Sequence, residues 1–115
     1  MAREQLLPLS KSFAIDVIRL CELVRQRGRA TAIVDQLLRS GTSIGANVRE
    51  ASRGQSAADF YAKLTIALKE ADETAYWLEL LKESGYIDAP LFLSINQDCD
   101  ELIRILVAIL KSTKS

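Results

Sequence analysis

Residues 39 to 54 read RSGTSIGANVREASRG, and whether they form helix or loop decides the fold. Gly41 and Gly45 argue for a loop, since each glycine inside a helix costs about 1 kcal/mol relative to alanine. The apolar spacing argues for helix: Val34, Leu37, Gly41, Ile44, Val48 and Ala51 recur at steps of three and four, the period of one helical face. The helix therefore runs through the glycines, and Gly41 falls on its core side. Gly41 to Gly45 also have the G-x-x-x-G form, in which missing side chains let two helix backbones approach closely. Two readings of that pair stay open. The glycines serve tight packing within the chain, or they form a small-residue surface for a second subunit or a nucleic-acid backbone. Gly41 and Gly45 thus enter the set of candidate oligomer contacts. A phosphate-cradling loop is disfavoured, because no Gly-Lys-Ser/Thr follows and no strand precedes.

Outward from this stretch, proline and glycine divide the 115 residues into four helical segments. Pro8 precedes the first, and Gly28, Gly54 and Gly85 follow the first, second and third. Pro90 sits in the first turn of the fourth, so prolines mark starts and glycines mark ends. The predicted helices span roughly 11–27, 31–52, 57–84 and 90–112. Short connections between long helices make sequential neighbours antiparallel, which defines an all-α, up-down-up-down four-helix bundle in a single domain. Ser56 and Asp59 read as a capping pair for helix three, and Asp88 as a cap for helix four.

Each segment carries a core stripe: Phe13, Val17, Leu20 and Val24; then Phe60, Leu64, Ala67, Ala71, Thr74, Leu78 and Leu81; then Ile95, Cys99, Leu102, Leu106 and Ile109. A second apolar face lies across from two of these stripes. Helix three places Ala62, Ile66, Trp77 and Leu80 there, beside Glu70 and Glu73, and helix four places Ile103, Val107 and Leu110. A helix apolar on two sides is normally covered on both, so Ile66, Glu70, Glu73, Trp77, Leu80, Ile103, Val107 and Leu110 are predicted oligomer contacts, with Trp77 left wet in a lone bundle.

The formal net charge of zero conceals an asymmetry. Residues 19 to 53 hold seven arginines against three acids, whereas residues 59 to 101 hold ten acids against three lysines. Three readings compete for Arg25, Arg27, Arg29, Arg39, Arg49 and Arg53: solvated surface loosely paired with acidic helix three, the acidic side of a neighbouring subunit, or phosphates of RNA or DNA.

Catalytic classes thin out quickly. The chain has no histidine, which removes imidazole bases, the usual triads and zinc sites of the usual kind. Glu50, Glu70, Asp72 and Glu73 lack the Glu-x-x-His partners of a bundle di-iron site. No cofactor or metal is expected. Cys21 and Cys99 fall on helical stripes without a C-x-x-C partner and read as reduced core residues. Residues 1 to 12 lack a continuous apolar core and the longest apolar run, residues 105–110, is too short to span a bilayer, so the expected location is the cytoplasm, away from membranes.

Residues 35 to 81, DQLLRSGTSIGANVREASRGQSAADFYAKLTIALKEADETAYWLELL, resemble the four-helix bundle family of 23S rRNA-intervening sequence proteins. The matching positions include Gln36, Leu37, Arg39, Thr42, Ser43, Ile44, Ala46, Asn47 and Glu50 on helix two, and Phe60, Leu64, Ile66, Ala67 and Glu73 on helix three. The resemblance implies a bacterial homopentameric ring of bundles without established catalysis. A similar fold serves as the accessory subunit of diversity-generating retroelements, where a basic pentamer binds nucleic acid and a reverse transcriptase; this chain departs from it in being neutral. The leading expectation is a non-enzymatic, self-assembling interaction scaffold. The alternative is an RNA- or DNA-binding accessory protein that uses the basic face of helix two, with a protein partner.

Overall fold

A computed structural model describes residues 2–28 and 30–112. Four helices make up the described chain: α1 (Ala2–Arg25), α2 (Thr31–Ser52), α3 (Ala57–Glu83) and α4 (Ala89–Ser112). Each helix packs against its sequence neighbours, and α1 closes the bundle against α4. The order around the bundle is therefore α1, α2, α3, α4, with the α1–α2 side opposite the α3–α4 side. The rod measures 45 × 21 × 19 Å.

Local chemistry sets the helix ends. The Ser56 hydroxyl accepts from the Asp59 amide at 3.0 Å, and the Asp88 carboxylate accepts from the Leu91 amide at 2.9 Å, so both expected caps form. Gly28 and Gly85 adopt φ of 80° and 86°, a left-handed conformation that lets the chain leave α1 and α3 without a Cβ clash.

The first helix begins earlier than its sequence suggests. Pro8 lies inside α1 rather than before it. Proline removes the bond to the carbonyl of residue 4, but Glu4 and Pro8 are both exposed, so water can satisfy that carbonyl. Burial of Leu6 and Ser10 holds the added turns against the bundle.

All four core stripes are inward, and of their members only Phe60 is half-buried rather than buried. Within that core, the Ser40 and Thr74 hydroxyls meet at 2.9 Å across α2 and α3, and among the described residues no buried side-chain polar atom lacks a partner. Cys21 and Cys99 are buried free thiols. They lie against the carbonyls of Val34 at 3.6 Å and Ala71 at 3.5 Å, and burial pushes their pKa values up to about 11 and about 12.

Gly41 is used within the chain. A Cβ at this position would stand 2.8 Å from Cγ1 of Val17, so the missing side chain is what admits Val17 of α1 into the seam. At Gly45 a Cβ would meet the Ser10 carbonyl oxygen at 3.4 Å. Both glycines of the G-x-x-x-G form thus line the α1–α2 approach. Gly41 is buried and so is not available as a subunit contact, whereas Gly45 is half-buried.

Candidate interaction surface

Hydroxyl and amide side chains of α2 are absorbed by its own backbone. Thr42 donates to the Leu38 carbonyl at 2.7 Å, Ser43 to Arg39 at 2.7 Å, and the Asn47 amide to Ser43 at 2.9 Å. These bonds to the preceding turn keep small polar residues in a helix at modest cost. Of the other motif residues, Ile44 is core, Ala46 is exposed, and Glu50 pairs with Lys63 of α3 at 2.9 Å.

The flank between α2 and α3 is closed by a polar network. Arg39 reaches across to Glu70 at 3.1 Å and also binds Glu73, while the Trp77 indole N–H donates to Glu73 at 3.1 Å. The hydrogen bond from Arg39, helped by that from Trp77, holds the Glu73 carboxyl below its usual pKa, and Glu73 in turn raises Arg39. Trp77 is accordingly half-buried against the core rather than wet, and Glu70 and Glu73 are engaged inside their own chain. Leu110 is a core residue, 9% exposed; α4 is apolar nearly all round, and its phase places Leu110 toward the bundle. Leu80, Ile103 and Val107 are half-buried, and Ile66 is 41% exposed.

The candidate arginines divide. Arg25 pairs with Asp35 at 2.6 Å, and Arg27 donates to the Tyr86 carbonyl in the α3–α4 turn. Arg39 is held as above, and Arg29 lies outside the described residues. Arg49 and Arg53 make no ion pair among the described residues. They line an open groove between α1 and α2 with Lys11, over a floor that includes Ala14 and Gly45. They also border a second groove at the α2–α3 turn, where Lys63, Glu50 and Asp59 mix the charges.

The sequence pattern missed the apolar surface of α1. Leu7, Ile15, Ile18 and Leu23 are each 39–46% exposed, and beyond them Tyr76 is 54% and Leu93 63% exposed. The signal was present in α1, whose apolar residues exceed a single stripe, but the second faces of α3 and α4 drew the reading instead. On the α1–α4 side, Asp98 sits near Asp16 and Glu101; burial first, then these two like charges, raise its pKa.

Among the described residues no three His, Cys, Asp or Glu side chains converge as a metal-binding set, and no helix is long and apolar enough to cross a membrane. Fold and surface together define a small antiparallel bundle whose distinctive features are its outer faces. The family model for 23S rRNA-intervening sequence protein matches residues 5–108, and the chain belongs to that family. It is also similar to a solved structure of a protein of unknown function from the S23 ribosomal protein family of Bacteroides thetaiotaomicron VPI-5482. The two share 45% identity over 96% of this chain and 99% of that one, with a TM-score of 0.92. No curated protein matches the chain.

Proposed function

We propose that this protein is a non-enzymatic, cytoplasmic bundle that assembles with copies of itself and acts as an interaction scaffold, the resemblance implying a homopentamer. The observation that supports this reading is the apolar surface left over outside a filled core: four large side chains on α1 alone, with Ile66, Tyr76 and Leu93 elsewhere. Single exposed hydrophobes are ordinary, but several on one helix mark surface that is covered in the working state. Light scattering across micromolar concentrations tests it. The expected mass is several times the 12.8 kDa of one chain, and Ile18→Asp should reduce it. A wild-type protein that stays monomeric overturns the reading.

The second reading, an RNA- or DNA-binding accessory protein, is favoured by one observation: Arg49 and Arg53 are exposed and make no ion pair among the described residues. Fluorescence anisotropy with a structured RNA and a duplex DNA over a salt series decides it. Affinity that falls steeply with salt marks several neutralised phosphates; absence of binding at low salt removes this reading.

A further inference from the structure

The α1–α2 side and α3 carry surfaces of opposite sign, each with exposed apolar groups. The groove between α1 and α2 has Lys11, Arg49 and Arg53 on its rim and no acid among its lining residues. Leu7 forms part of its wall, and Ile18 stands exposed further along α1. Its floor contains Ala14, Gly45 and Ala46, side chains short enough for a third helix to settle close to the two backbones.

Asp72, Tyr76, Glu79 and Glu83 form an outward stripe on α3 at steps of four, three and four, all exposed. The stripe lies beside the Glu70, Glu73 and Trp77 flank that meets α2, with the Tyr76 ring 5.2 Å from that of Trp77, and none of its carboxylates makes an ion pair among the described residues. Tyr76, 54% exposed, stands at its middle. The spacing of the charges is also similar: Arg49 lies in the last turn of α2 and Arg53 four residues on at its C-cap, and Glu79 and Glu83 are four apart on α3, where residues at that step are about 6 Å apart.

We propose that the α1–α2 groove of one copy receives the α3 stripe of a second copy, with Arg49 and Arg53 against Glu79 and Glu83 and Tyr76 among the apolar groups. This rests on the self-assembly reading and specifies its contact. The two surfaces differ, so the contact is heterologous. A copy that has filled its groove still presents its stripe, and assembly continues beyond a dimer. Opposite charge fixes which faces meet and in which register, while the apolar groups supply burial.

The test compares the solution masses of wild type, R49E/R53E, E79R/E83R and the variant carrying all four changes, with helical circular dichroism confirming that each is folded. All four positions are exposed. The expected result is an oligomeric wild type, a fall to the single-chain mass in both double variants, and recovery of the oligomer in the combined variant, in which groove and stripe are complementary again. An oligomeric wild type whose double variants keep its mass overturns this contact and leaves self-assembly standing, and loss of RNA binding in R49E/R53E at unchanged mass would assign the groove to phosphates instead. Dissociation without recovery in the combined variant overturns the pairing of these two surfaces. A monomeric wild type overturns both this contact and the reading beneath it.

Discussion

Helix α2 has two flanks built from the same residue types and used in opposite ways. Toward α3, its arginine and glutamate find partners within the chain: Arg39 with Glu70 and Glu73, and Glu50 with Lys63. Toward α1, glycines bring the backbones together beneath the surface while Arg49 and Arg53 above it make no ion pair among the described residues. The difference lies in what stands opposite. Lys63, Glu70 and Glu73 of α3 offer counter-charges, whereas the facing stretch of α1 offers Leu7, Lys11 and Ala14. A charged stripe on a helix therefore reports nothing about its role until the neighbouring helix is known.

The comparison breaks most severely at Gly41. Gly41→Leu drives a side chain into Val17, and we expect a loss of about 3 kcal/mol or more, read as a lower urea midpoint, from overpacking in a dense core. If stability is unchanged, the α1–α2 seam is not closed by that glycine.

A smaller effect sharpens the other flank. Arg39→Ala removes two ion pairs that are partly open to solvent, so about 1 kcal/mol is expected after allowing for screening. The sign with pH is defined by Glu73. Its folded pKa is lowered by Arg39, so its contribution is present above the ordinary carboxylate pKa and disappears as pH falls through the lowered folded value. Wild type and Arg39→Ala should therefore differ at pH 7 and converge in acid; a constant difference between pH 7 and pH 3 would show that the loss is packing rather than charge.

The smallest effect belongs to Gly45→Ala. The added Cβ meets the Ser10 carbonyl at 3.4 Å, a contact that needs only a slight adjustment. The helix propensity gained, up to about 1 kcal/mol, should leave the change neutral or slightly stabilising in thermal melts. A marked loss would mean that this approach is as tight as the one at Gly41.

Much of the fold was legible because the bundle stripes are strict. The span of α2, with its two glycines, followed from Val34, Leu37, Ile44 and Val48 recurring at three and four, and those residues are buried. The start of α1 was not legible. Proline is an ordinary start signal, and only the burial of Leu6, a tertiary effect, reveals that the helix continues upstream. The outer faces were legible as an excess of apolar residues but not in their assignment. Trp77 turned inward because its indole found Glu73, and Leu110 because the α4 core is broader than one stripe. The apolar groups of α1 passed unnoticed because their spacing blends into the stripe beside them. The candidate arginines looked alike in sequence and parted company only once Asp35, the Tyr86 carbonyl and the acids of α3 stood opposite Arg25, Arg27 and Arg39.

The two sequestered thiols give the molecule a pair of internal clocks. Cys21 is covered where α1 meets α2, and Cys99 where α4 meets α3, so a thiol reagent reaches each only when its own seam opens. Labelling rates at the two positions, followed separately by mass spectrometry, would report whether the bundle breathes as one cooperative unit or unzips one side first.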